Sequence, residues 1–152
     1  MYTEREVRTM IREINFDMDG TIANLYGCDG WLDDIVNERV NPYVNAKPMV
    51  NMSALARILN NKIKNGYNVN IISWTALNGT EEYNARVETV KREWLNRHLK
   101  SVKFNKISIV PFGTPKSNCG QGVLFDDEER NRIEWNGTAY DEKNILETLK
   151  KI

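Results

Sequence analysis

The stretch Arg12-Glu13-Ile14-Asn15-Phe16-Asp17-Met18-Asp19-Gly20-Thr21 decides how the rest of the chain is read. Arg12 to Asp17 alternates polar and apolar residues and ends in an acid. Met-Asp-Gly-Thr follows, so the segment reads as a strand that stops in a turn. Working outward, Val69 to Ser73 (Val-Asn-Ile-Ile-Ser), Lys106 to Val110 and Val123 to Asp126 read as further strands, the last again ending in acid. Thr138 to Tyr140 reads as a short fifth. Met52 to Lys64 carries a helical stripe of Leu55, Ile58, Leu59 and Ile63 that stops at Asn65-Gly66. Thr80 to Leu99 is the longest helix, with Thr80 as its cap, acids in its first turn and Val87, Val90, Trp94 and Leu95 on its buried face. Asp141 to Lys151 closes the chain as a helix capped by Asp141. Pro111 to Gly122 is rich in Gly, Pro, Ser and Asn and reads as a loop. Strands alternating with helices predict a single α/β domain over residues 1–152, with a mostly parallel sheet of about five strands covered on both faces.

The chain has 152 residues, 41% hydrophobic and 28% charged, with 21 basic and 21 acidic side chains. That length and apolar content suit one self-sufficient core and exclude a disordered chain. No apolar run is long enough for a transmembrane helix. Met1 to Arg12 alternates charged with apolar residues and does not read as a signal peptide. The zero net charge counts against a grip on long nucleic acid, which needs a basic surplus. Cys28 and Cys119 are too few for a disulfide scaffold and fit a reducing compartment such as the cytoplasm. The single histidine, His98, excludes polyhistidine metal sites and makes carboxylates the expected chemical groups.

In parallel sheets ligands bind at the carboxyl ends of the strands. The polar residues there are Asp17 and Asp19 after the first strand, Ser73 and Thr75 after the second, and Asp126 and Asp127 after the fourth. Lys116 lies in the loop leading into the fourth, with Lys103 and Lys106 as rivals. Four acids and a lysine at one rim suggest a hard cation with a phosphate. One carboxylate could attack phosphorus, and a second could protonate the leaving oxygen and then deprotonate water. A lysine would offset the accumulated negative charge. Each residue also has a plainer reading: solvated loop acids, a capping serine, and in Asp126-Asp127-Glu128-Glu129 a charged helix start.

Asp17-Met18-Asp19-Gly20-Thr21 after a strand resembles the first signature of the haloacid dehalogenase (HAD) superfamily. Ser73, Lys116 and Phe125-Asp126-Asp127 match its second, third and fourth signatures, in order along nearly the whole chain. The resemblance implies a Rossmann-like three-layer α/β/α domain and a Mg2+-dependent phosphatase. It makes Asp17 the nucleophile and a metal ligand, and Asp19 the general acid/base with its backbone carbonyl on the metal. Ser73 and Lys116 would hold the phosphoryl group, and Asp126 and Asp127 would complete the metal site. Met18, Gly20, Thr21, Trp74, Thr75 and Tyr26 would surround the substrate. The 5'(3')-deoxyribonucleotidase branch, with its small phage and bacterial members, is similar at residues 17–24, 64–73, 91–99 and 124–131, with Trp135 downstream. This implies nucleoside monophosphate substrates and a bacterial or phage-host cytosol. The chain departs from that branch at Trp74-Thr75 and in the loop Gly113 to Gly122.

The family places a cap where residues 22–51 fall. Here the cap is short, which leaves room for a larger substrate or calls for a second subunit, as in a homodimer, to close the site. Tyr26, Trp31, Tyr43 and Trp74 could stack on a base, although Trp31 and Tyr43 read first as cap core. Trp94 and Trp135 read as packing, and His98 as a helix-end residue whose positive charge is favourable. Two other functions stand beside the nucleotidase. One is a phosphatase acting on nucleic acid ends or on another small phosphorylated metabolite. The other is a catalytically silent binding module, against which the intact set Asp17, Asp19, Ser73, Lys116 and Asp126 argues.

Overall fold

The computed structural model describes residues 1–4 and 12–152. Most of the stretch Met1 to Arg12, read above for leader character, therefore lies outside the described residues. Five parallel strands form the main sheet: β1 (Glu13–Phe16), β4 (Asn68–Trp74), β5 (Lys106–Val110), β6 (Val123–Phe125) and β7 (Thr138–Tyr140), in the order β5-β4-β1-β6-β7. A two-stranded antiparallel ladder, β2 (Ala23–Asn24) with β3 (Lys47–Pro48), sits apart. Among the described residues, helices α1 (Trp31–Val36), α2 (Asn41–Asn45), α3 (Met52–Lys64), α4 (Glu81–His98), α5 (Glu129–Glu134) and α6 (Ile145–Lys151) follow. None of them is long and apolar enough to cross a membrane.

The pleat sorts side chains onto two faces. Ile14, Phe16, Val69, Ile71 and Phe125 point one way and pack against Leu55 and Leu59 of α3, Trp94 and Leu95 of α4, and Ile145 and Leu149 of α6. The other face presents Asn15, Asn70, Ile72 and Leu124. Ile72 and Leu124 meet Trp135 there. Asn15 donates to the carbonyls of Gln121 and Val123, and Asn70 donates to Asn15 and Glu13. This second face is thus covered by the irregular segment before β6 and by Trp135 rather than by long helices. Two buried asparagines are tolerated on it because each amide is hydrogen-bonded.

Thr80 caps α4 and Asn51 caps α3, each accepting a hydrogen bond from a first-turn N–H (Tyr83 and Ala54). Asp141 does not cap the last helix. Its carboxylate accepts from the N–H of Lys143 in a local turn, and the helix begins at Ile145 after Asn144. The loop 111–122 holds a single 3-10 turn, Lys116–Asn118, entered through Pro115.

The β2–β3 ladder closes the base of an insertion that carries α1 and α2. Leu25 and Tyr43 from this insertion pack with Ala76, Tyr83 and Val87. Side chains of α4 reach its carbonyls: Tyr83 to Arg39, Arg86 to Glu38, Trp94 to Ala46 and Arg97 to Val44. Trp94 is core, as its place on the apolar stripe predicts. His98 lies half-buried against Trp94, and burial, with Arg97 adding, pushes its pKa down. Its positive charge is therefore disfavoured, contrary to the helix-end expectation.

Candidate active site

Three adjacent strands, β4, β1 and β6, deliver their carboxyl ends to one point on the rim. After β1 the chain wraps around the Met18 carbonyl, which accepts from the N–H groups of Thr21, Ile22 and Ala23, each at 3.0 Å. The wrap requires Gly20, with φ +81°, where a Cβ would overlap the Asp127 carboxylate and the Tyr26 ring. It turns the Met18 side chain into the core, away from any substrate.

Asp17 sits at the centre. Its N–H is held by Phe125 O at 2.9 Å, its Oδ1 accepts from Lys116 Nζ at 2.7 Å, and its Oδ2 accepts from Thr21 Oγ1 at 2.9 Å. Lys116 Nζ also reaches Asp126 Oδ2 at 2.7 Å. Thr21 Oγ1 lies 3.0 Å from Asp127 Oδ1 and accepts from the Asp127 N–H. Asp126 further accepts from Asn131 Nδ2 at 3.1 Å and from the Glu128 N–H at 2.9 Å. Arg132 holds the Asp126 and Asp127 carbonyls at 3.0 and 2.9 Å. Carboxylate oxygens of Asp17, Asp126 and Asp127 all lie within 4.8 Å of one another.

Asp19 is not in that group. Its Oδ2 accepts from Lys91 Nζ at 2.8 Å, and Lys91 also donates to Ser73 Oγ at 2.7 Å and to Trp74 O at 2.8 Å. The Lys91 ammonium lies over the Tyr43 ring, 5.1 Å from its centre. Sequence reading passed over Lys91. The signal was a lysine four residues after Val87 and three before Trp94, in a helical stripe whose other members are buried. Asn131, the last residue of the stretch 124–131, was given no role; its contact with Asp126 was not readable from that stretch.

The electrostatics follow from burial. It works against the Lys116 charge, but Asp17 and Asp126 outweigh it and hold the ammonium well above the ordinary lysine value. Burial alone would raise Asp17, yet Lys116, the Asp127 hydrogen bond and Lys91 bring it below the usual carboxylate range. Burial and the Asp17 charge push Asp126 and Asp127 up. Burial likewise raises Asp19, against the pull of Lys91. Three facing carboxylates with one lysine among them disfavour full ionisation.

No protein-family model matches the chain, and no curated protein matches it. The site therefore rests on its own geometry. The all-oxygen set from Asp17, Asp126 and Asp127 could hold a metal ion, and oxygen ligands of this kind suit hard cations.

A cleft of about 400 Å³ opens from Asp17, Asp19 and Lys116. Tyr26, Trp74 and Thr75 lie on its wall, as do Trp31 and Tyr43. Ser73 and Thr21 do not; both are buried, Ser73 against Lys91 and Thr21 among the acids. Neither rival lysine approaches the cluster: Lys106 donates to Cys119 O, and Lys103 is exposed. Cys28 and Cys119 are unpaired, and burial raises both thiols, so neither is poised to react.

Proposed function

We propose that the protein is a Mg2+-dependent phosphomonoester hydrolase of the HAD type that works through an aspartyl-phosphate, with nucleoside monophosphates as its substrates. The observation that carries the reading is the division of labour between two aspartates two residues apart. Asp17 is kept ionised by Lys116 within the acidic triad, while Asp19 is held away from the triad by Lys91. In the proposed cycle an Asp17 carboxylate oxygen forms a bond to phosphorus as the ester P–O bond breaks. The departing alkoxide takes a proton from Asp19. Asp19 then takes a proton from water, whose oxygen attacks phosphorus; phosphate leaves and Asp17 is regenerated. Lys116 supplies fixed positive charge beside the transferring group, and Lys91, buried behind the cleft, acts through Asp19. Asp17, Asp126 and Asp127 would hold Mg2+, which when bound neutralises phosphoryl oxygens.

A nucleoside is the favoured leaving group because two aromatic pairs line the cleft. Tyr26 and Trp31 come from the insertion, at 4.8 Å; Trp74 and Phe112 come from the ends of β4 and β5, at 4.9 Å. The test is phosphate release from nucleotides, sugar phosphates and para-nitrophenyl phosphate, with Mg2+ or chelator, for wild type and Asp17→Asn. Turnover that needs Mg2+ and vanishes in Asp17→Asn is expected. Turnover that survives Asp17→Asn sinks the nucleophile, and no turnover on any ester leaves a phosphate-binding module.

A further inference from the structure

Lys91 reaches from α4 towards the rim and spends every proton it has. Its three N–H groups go to Asp19 Oδ2 at 2.8 Å, Ser73 Oγ at 2.7 Å and Trp74 O at 2.8 Å. The Lys91 side chain is 1% exposed, and the centre of the Tyr43 ring, itself on the cleft wall, lies 5.1 Å from the ammonium. Nothing of this lysine is left for a ligand. Ser73 is equally closed off, at 1% exposure and away from the cleft wall. Of these three side chains, Lys91, Ser73 and Asp19, only Asp19 lines the cleft, with 19% of its side chain exposed.

A buried ammonium is tolerated only where acceptors surround it. Two of its three acceptors, Ser73 Oγ and Trp74 O, belong to the last two residues of β4, so the end of that strand sets where Nζ stands. Nζ in turn sets where Asp19 Oδ2 stands. Among the described residues Asp19 Oδ1 has no hydrogen-bond partner. Oδ2 is spent on the buried lysine, so Oδ1 is the oxygen left to serve the cleft. The resemblance gives Ser73 to the phosphoryl group; its place in the structure gives it to Lys91.

We infer that Ser73 and Lys91 are positioning residues for the proton transfer and that Ser73 is not a ligand of the phosphoryl group. Through the ammonium they hold Asp19 so that its Oδ1 carries the proton. This rests on the phosphatase reading. As the ester P–O bond breaks, the Oδ1–H bond breaks too, and the departing oxygen leaves as the alcohol. In the second step water gives a proton to Oδ1 while its oxygen bonds to phosphorus, and the bond to Asp17 breaks. The pair therefore matters in proportion to the leaving group's need for a proton. A nitrophenoxide departs without one; an alkoxide does not.

The experiment compares kcat/KM, which reports the steps up to loss of the alcohol, for two esters of nearly the same shape. They are para-nitrophenyl phosphate and para-nitrobenzyl phosphate, the second with an alkoxide leaving group. Asp19→Asn sets the scale: it should lower the benzyl ester at least about 100-fold further than the phenyl ester. Lys91→Met should show the same split, at least about tenfold. Ser73→Ala, which removes one of the lysine's three acceptors, should show it at about threefold or more. Should Lys91→Met fail to fold, Ser73→Ala decides alone, since it keeps the lysine in the chain. A general loss of structure lowers both esters together, and so does loss of a contact to the phosphoryl group. An even fall on the two esters, or no change on either, in a folded Ser73→Ala or Lys91→Met would overturn the inference and leave the phosphatase reading standing. A wild type silent on both esters would remove that reading, and this inference with it.

Discussion

Lys116 shows how much one side chain can hold. Its side chain is 3% exposed, and its ammonium bridges Asp17 and Asp126 at 2.7 Å each. Removing one member of a buried ion cluster strands the others, at a cost of about 3–5 kcal/mol. Lys116→Met is expected to lose about that much stability in chelator and to regain part of it when Mg2+ is added; chemical denaturation under both conditions measures it. His98 gives a separate residue-scale outcome. Burial and Arg97 hold its pKa below 6.5 in the native state. Between the native value and 6.5 the unfolded chain binds more protons, so stability rises with pH through that window and is flat above it. Because the chain has one histidine, a single imidazole resonance followed by NMR reports the native pKa directly. A value at or above 6.5 would refute the argument.

At the scale of elements, local sequence was a good guide wherever local physics dominates. The stripe of α3 and the Thr80 cap of α4 were legible because side chains and N–H groups three or four residues apart decide them. Asp141 misled because a carboxylate can satisfy a turn two residues on as readily as a helix start three residues on. Lys91 was missed because its three partners come from elsewhere: Asp19 after β1, and Ser73 and Trp74 on β4. Ser73 does close β4 as read, but its hydroxyl faces that lysine rather than the cleft. Thr80 does two jobs, capping α4 and receiving Glu38 from the insertion. Thr80→Ala should therefore exceed an ordinary cap loss, reaching the upper part of the roughly 0.5–2 kcal/mol range. Glu38→Gln, which keeps one acceptor, should cost clearly less; equal losses in the two variants would show that the cap alone matters.

For the molecule as a whole, the alternation of strands and helices was enough to read the parallel sheet, and the acids read at two strand ends, Asp17, Asp126 and Asp127, do lie together at its rim. The second face was not legible, since Asn15 and Asn70 look like surface residues and are buried by a loop whose path no periodicity describes. If the acidic triad takes Mg2+, the cation binds only the folded chain. At about 100 times its Kd it should then add about 2.7 kcal/mol. For a domain of this size that is a rise in Tm of roughly 5–10 °C. Chelator should reverse the rise, and Asp127→Asn should abolish it; a Tm indifferent to Mg2+ in wild type would remove the metal from the account.

The sheet order sets β1 between β4 and β6, although β1 is made early and β6 late. This has a consequence in time. On a translating ribosome Asp17 emerges as an ordinary solvated aspartate, with no lysine beside it and no acids to share a cation. Residues 116 to 131 must leave the exit tunnel before any of that chemistry exists. If the chain is the phosphatase proposed above, activity of ribosome-arrested chains should appear abruptly with length, not grow in proportion to it. A newborn chain has no assembled acidic cluster until β6 slides in beside β1.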